Sequence, residues 1–200
     1  MKKTILLVNC YRENAEEKVR GYYEWLKAAA ACSGLDLAIV EAADRETLTD
    51  LAGHSAVVVS GSQKMIAAGE VEPGLLAFLG ANRRPLLGVC YGHQALAHAF
   101  GAGVEQDGQK HLGDEDVFLR GSAVLFAGFP RVFKMYESHE EIVARDNDLE
   151  RNFSILAESG PGLVEAIAHR DFPLYGVQFH PERSGELGIK LLVNFLKMIP

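Results

Sequence analysis

Residues 85–94 read Pro-Leu-Leu-Gly-Val-Cys-Tyr-Gly-His-Gln. Pro85 to Cys90 is a short apolar run of the kind that forms a strand buried on both faces. Ala95 to Phe100 reads as helix, so strand passes into helix with almost no connection. At such a junction the central residue is held in a constrained backbone conformation, and glycines two before and two after it, here Gly88 and Gly92, relieve crowding against neighbouring chain. Cys90 therefore stands at the first turn of a helix, where backbone N–H groups and the positive end of the dipole favour an anionic sulfur and can hold an oxyanion. The bland alternative is a small buried thiol. For Cys10 and Cys32, which have no glycines at these offsets, that alternative stands.

Working outward, the first half of the chain alternates strand and helix. Thr4 to Asn9, Leu37 to Val40 and Ala56 to Ser60 repeat the short apolar signal. Between the first two, Val19, Tyr22, Tyr23, Leu26 and Ala30 recur at three- and four-residue spacings, which makes Ala15 to Ala31 an amphipathic helix that Gly34 stops. Weaker helical stretches cover Arg45 to Leu51 and Pro73 to Leu79. After Phe100 the rhythm changes to short runs, Val117 to Leu119, Val124 to Phe126, Val132 to Met135 and Ile155 to Ala157, that look antiparallel. Val164 to His169 and Leu174 to Phe179 form a hairpin, and Gly188 to Ile199 closes as helix. The expected fold is α/β: a three-layer, mainly parallel, flavodoxin-like sheet flanked by helices, with a small antiparallel extension in the second half and a ligand site at the carboxyl ends of the strands.

Composition narrows the class. The 200 residues carry 20 Lys plus Arg against 27 Asp plus Glu, a net charge of −7, which argues against binding nucleic acid. With 48% hydrophobic and 24% charged residues the chain is globular rather than disordered. It shows no linker or repeat, so residues 1–200 are expected to form a single domain. No apolar stretch has the length of a membrane span, no signal segment is seen, and three cysteines suit neither a disulfide framework nor a Cys-x-x-Cys metal site, which together point to the cytoplasm. Neither metal-ligand spacing nor a phosphate-binding glycine loop is present, so no metal and no cofactor is expected.

A cysteine nucleophile needs an imidazole and a group to orient it. Seven histidines compete. His93 and His98 lie on the helix after the elbow, His93 too near along the chain to approach the sulfur well; His54, His111 and His169 read as solvated. His180 ends a strand in His-Pro, which cannot continue a central ladder, so its ring lies at the strand's carboxyl end, the edge assigned to Cys90. Glu182 could reach back to its ring. His139, in Tyr136-Glu137-Ser138-His139-Glu140-Glu141, is the second candidate base.

Together these segments resemble the class I, or triad, glutamine amidotransferases. The family's G-x-C-x-G-H-Q motif is matched by Gly88 to Gln94 and its G-x-Q-F-H-P-E motif by Gly176 to Glu182, in the family's order and separation. The likeness covers nearly the whole chain, weakly before Leu37 and over residues 105–121. It implies hydrolysis of the glutamine side-chain amide through a Cys90 γ-glutamyl thioester, with His180 as base and then acid and Glu182 orienting it. It further implies an oxyanion hole from the N–H after the nucleophile, Tyr91, and from the loop Ser60-Gly61-Ser62-Gln63. Relatives carry Gly-Gly-Pro where this chain has Gly61-Ser62-Gln63, so a non-glycine N–H is presented in a hole that a partner would complete. Gln94, Ser138 and His139 match positions that hold the glutamine amino and carboxylate groups.

Glutamine is then the substrate, and a separate synthetase chain the partner that takes the ammonia. Glu137 to Glu141, Leu163 to Ala166 and Leu174 to Val177 look most like the separate glutaminase subunit of GMP synthetase, although Val8-Asn9-Cys10-Tyr11-Arg12 departs from its usual opening. The small subunit of anthranilate synthase is similar in the same motifs. Two further readings remain: a γ-glutamyl hydrolase, disfavoured by Gln94, and a non-catalytic binding subunit, favoured by the irregular Ser62-Gln63 loop.

Overall fold

Alternate residues of the first strand part company: Ile5 and Leu7 join one apolar cluster, Leu6 and Val8 another, and all four are buried. That is the signature of a sheet covered on both faces. The computed structural model describes residues 2–44, 53–160 and 162–200. The helical stretch expected over residues 45–51 lies outside the described residues.

In chain order the first elements are β1 (Lys3–Asn9), α1 (Ala15–Ser33), β2 (Leu37–Ala43), β3 (Ala56–Val59), α2 (Pro73–Ala81), β4 (Leu86–Val89) and α3 (Tyr91–Ala99). They are followed by β5 (Val104–Leu119), β6 (Val132–Val143), α4 (Asn147–Asn152), β7 (Phe153–Ser159), β8 (Leu163–His169), β9 (Leu174–Val177) and α5 (Gly185–Leu196). Strands β2, β1, β3, β4 and β9 lie side by side in parallel register, the doubly wound order. Side chains of α1 and α5 pack in the cluster of Ile5 and Leu7; those of α2 and α3 pack with Leu6 and Val8. The expected three-layer α/β architecture is the one observed.

Helix α1 buries Val19, Tyr22, Trp25, Leu26, Ala29 and Ala30. Relative to the face read from the sequence, Trp25 replaces Tyr23, whose hydroxyl donates to Glu41 on β2 at 3.0 Å. Gly34 ends the helix with a left-handed φ of 64° and an N–H directed at Ala30 and Ala31. Strand β2, expected to be buried, is the sheet's edge and leaves Val40 exposed.

The second half departs further from expectation. The antiparallel extension has four strands, β8, β7, β5 and β6, and β5 runs 16 residues through a segment whose sequence is largely featureless. Glu105 to Asp116 is polar on both sides because most of it is solvated, so neither helical nor strand periodicity marks it. Val124 to Phe126 is a 3-10 turn and not a strand: Leu125 and Phe126 turn into the core between glycine-containing bends. Helix α4 is too short to show a periodicity; Asp146 caps it, accepting from the Leu149 N–H at 2.8 Å. The extension curls, so that β6, last in the pairing order, returns to the parallel half, where its Tyr136 carbonyl accepts from the His180 N–H at 2.8 Å. No helix among the described residues is long and apolar enough to cross a membrane.

Helices α1 and α5, on one face, are joined by a buried polar contact, Trp25 Nε1–H to the Gly188 carbonyl at 2.8 Å, and a Cβ at Gly188 would meet the Pro181 oxygen at 1.8 Å. This close approach also places the segment carrying His180. Trp25→Phe should keep the packing and the carbonyl's own helical bond but lose the indole donor, lowering stability in urea denaturation by about 0.5–1.5 kcal/mol; an unchanged midpoint would show that water replaces the indole.

Candidate active site

Strand β4 delivers Cys90 into a backbone conformation of φ 49° and ψ −105°, which costs a non-glycine residue on the order of 1–3 kcal/mol. The surroundings enforce it. The Cys90 N–H donates to Val177 of β9 at 2.8 Å, and its carbonyl accepts from the Gln94 N–H at 3.0 Å, starting α3. A Cβ at Gly88 would lie 2.4 Å from the Gly92 oxygen, and one at Gly92 would lie 2.5 Å from the Val59 oxygen. Both glycines are thus required by backbone-to-backbone packing, as read from the motif. Helix α3 begins at Tyr91, four residues earlier than expected, so the sulfur sits directly at its N-terminus.

His180 follows β9 and precedes the 3-10 turn Pro181–Arg183. Its Nδ1 lies 2.7 Å from Glu182 Oε1, which leaves the buried Nε2 toward the Cys90 sulfur, with no N or O partner among the described residues. Burial favours the neutral ring, but Glu182 and then the Cys90 sulfur outweigh it and hold His180 well above the usual histidine range. On the other side the Cys90 Sγ is 3.9 Å from the Ser138 carbonyl of β6. Ser138 and His180 also line a cleft of about 910 Å³, together with Tyr11, Ser62, His139 and Glu182. A volume of that size is ample for a small amino acid.

The glutamine amidotransferase class-I family model matches residues 18–199. The chain belongs to that family. It is 41% identical over 116 residues to anthranilate synthase component 2 of Methanothermobacter thermautotrophicus, covering 58% of each chain. It is 34% identical over 145 residues to one of the separate subunits of the glutamine-hydrolysing GMP synthase of Pyrococcus abyssi, covering 72% of this chain and 75% of that one. The crystal structure of the corresponding GMP synthase subunit from Thermoplasma acidophilum superposes with a TM-score of 0.77 at 25% identity, over 98% of this chain and 92% of that one. The match thus spans less than two thirds of the first relative's length and three quarters of the second's.

Within this amidotransferase fold, not every residue singled out by motif faces the cleft. Gln94 is buried, and its Nε2 donates to the Glu141 carbonyl at 2.8 Å and to Gln178 Oε1 at 3.1 Å, so its amide braces β6 against α3. The Gly61 N–H, expected in the oxyanion hole, donates instead to the Tyr22 hydroxyl at 2.8 Å, which leaves Ser62 and Tyr91 as the backbone donors of that set. Ser62 Oγ donates to the Cys10 carbonyl at 2.8 Å, an anchor for the irregular loop. The loop is further held by Glu141, which accepts from the Ile66 and Ala67 N–H groups at 2.8 and 2.9 Å, and by Lys64, ion-paired with buried Asp44.

Tyr11, Tyr22 and Glu141 carry no functional signal in the sequence. Tyr22 is visible there only as an apolar position of α1; nothing in its spacing tells that its hydroxyl reaches a loop 39 residues on. The hydroxyls of Tyr22 and Tyr11 interact, and a Cβ at Gly61 would lie 2.8 Å from the Tyr11 hydroxyl and 3.1 Å from His180 Cε1. His111 and His169, read as solvated, are both buried: His111 lies between Asp107 and Glu115 and stacks on His139, while His169 packs among Phe100, Phe153 and Phe172. His93 is pushed down to about 3 by burial and secondarily by His139, so it stays neutral; it fills the space that a side chain at Gly176 would need.

Tyr22→Phe should leave the Gly61 N–H buried without an acceptor and lower stability by about 1–3 kcal/mol in chemical denaturation. Equal stability of wild type and variant would mean that the loop reorients at no cost.

Proposed function

We propose that the chain is a catalytic glutaminase that supplies ammonia to a separate synthetase subunit, with Cys90 as nucleophile, His180 as general base and acid, and Glu182 as the group that orients His180. The observation that carries this reading is the combination of a cysteine in a left-handed elbow with a histidine locked by a 2.7 Å carboxylate bond and with its other nitrogen toward the sulfur. The Cys90 thiol gives its proton to His180 and its sulfur attacks the side-chain amide carbon of glutamine, and the N–H groups of Ser62 and Tyr91 receive the charge that develops on the oxygen. His180 passes a proton to the amide nitrogen; the C–N bond breaks and ammonia leaves. A water molecule, losing its proton to His180, then cleaves the thioester, releasing glutamate and restoring the thiol. Ser138 and the walls of the cleft hold the amino and carboxylate ends of the substrate; the His139 ring, expected to share that role, is sealed and engaged with the Glu141 carbonyl.

GMP synthesis is the favoured destination of the ammonia, supported by the Pyrococcus relative and by the Thermoplasma structure, which spans almost the whole of this chain. The similarity to anthranilate synthase component 2 supports a second acceptor system. Glutamate release from glutamine, assayed with the chain alone and with the remaining subunit of each of these two enzymes, distinguishes them: the cognate subunit should raise the rate. Cys90→Ala should abolish glutamate release, and Glu182→Gln should lower kcat by about two to four orders of magnitude with the fold intact. Wild-type activity in Cys90→Ala, or turnover confined to γ-glutamyl conjugates, would refute the assignment.

A further inference from the structure

Behind the cleft wall, β6 and β8 bring together Glu137, His139 and Glu165, each offering one ligand atom within 4.8 Å of the others. The side chains of Glu137 and His139 are 0% and 2% exposed, and Glu165 is equally sealed. Strand geometry explains the first pair, since residues two apart project from the same face. The hydrogen-bond inventory around them does not balance. His139 Nδ1 is 2.9 Å from the Glu141 carbonyl, which can only accept, so the ring hydrogen is on Nδ1 and Nε2 presents a lone pair. That lone pair lies 3.3 Å from Glu137 Oε2, a second acceptor, without forming a hydrogen bond. Ser159 Oγ donates to Glu165 Oε1 at 2.6 Å, while Glu165 Oε2 and both Glu137 oxygens receive no N–H or hydroxyl and the two carboxyl groups face each other. Apart from the Ser159 hydroxyl, no hydrogen-bonded donor among the described residues meets these converging acceptors, and such a group needs a proton or a cation between its members.

We infer that Glu137, His139 and Glu165 form a binding site for one divalent cation of the zinc class. Two carboxylates and a neutral imidazole balance a +2 ion. The 3.3 Å between Nε2 and Oε2 is close to the separation of two ligands each about 2.0–2.1 Å from a shared tetrahedral ion. The outer contacts are those that orient metal ligands: the histidine's other N–H on a backbone carbonyl, and a hydroxyl on one carboxylate. Binding displaces the proton that the two carboxylates would otherwise share. The linear sequence conceals the site because its third ligand comes from another strand. β6 and β8 are not neighbours in the sheet, so the ion fastens the curled end across the fold. Two of its ligands flank Ser138, whose carbonyl abuts the Cys90 sulfur, and the ion steadies that wall without entering the thiol chemistry.

The test uses the full chain carrying Cys90→Ala, so that no thiolate and imidazole pair at the cleft can capture zinc. Chelator-treated protein titrated with Zn²⁺ by calorimetry should take up one ion per chain with Kd in the micromolar range or tighter, on the order of 10⁻⁶ M, and its thermal midpoint should rise with the ion. Glu137→Gln and Glu165→Gln in the same background should each weaken binding by roughly tenfold or more. X-ray absorption at the zinc edge should show only nitrogen and oxygen at about 2.0–2.2 Å. Absence of saturable binding, unchanged affinity in both glutamine variants, or a sulfur neighbour near about 2.3 Å would overturn the inference. None of these readouts depends on glutaminase activity.

Discussion

The site depends on one backbone constraint, the unfavourable dihedral pair of Cys90. Its neighbours impose it: β9 accepts the Cys90 N–H, α3 begins from its carbonyl, and the first turn of α3 lies so close to β4 and β3 that neither Gly88 nor Gly92 has space for a methyl group. A relaxed cysteine would let α3 start later and move the sulfur away from the helix N-terminus. The same close packing sets where β9 ends and hence where His180 emerges. The geometry around Cys90 is therefore a consequence of how tightly the central strands and α3 pack, rather than of flexible side chains finding one another.

A second layer of support comes from the curled antiparallel end. Strands β5 and β6 leave the parallel half and return, so that Tyr136 receives the His180 N–H, Ser138 meets the Cys90 sulfur and Glu141 holds the loop after β3. Gln94 completes the connection from α3. One strand thus touches α3, His180 and the loop after β3. Behind it, Glu137, His139 and Glu165 bring several unpartnered buried acceptors together, and that convergence is where a cation has a physical reason to bind.

Much of the parallel half is legible in the sequence. Strands apolar on both faces leave an unmistakable pattern, as in β1, β3 and β4, and the elbow glycines mark a turn that few other residues can make. The edge strand β2 is recognisable as a strand but not as an edge, because Leu37 to Val40 carries the same apolar residues that a central strand would. Strand β5 leaves little such trace, since all its residues but His111 and Val117 reach solvent and have no reason to alternate. Buried His111 and His169 look solvated for a related reason: their neighbours in the sequence are polar, while the groups that enclose them, Phe100 and His139 among others, come from distant segments.

By itself the sequence determined the α/β class, the elbow, and the identity of Cys90, His180 and Glu182 as the residues to bring together, because each rests on local chemistry: strand hydrophobicity, glycine spacing, and a carboxylate two residues from an imidazole. Only the tertiary structure decided which donors remain for an oxyanion, which face Gln94 serves, and that three acidic and imidazole groups share one sealed space. These are matters of hydrogen-bond partners supplied by strands and helices far apart in the chain, and the closing of a curled sheet, not any spacing along it, chooses them.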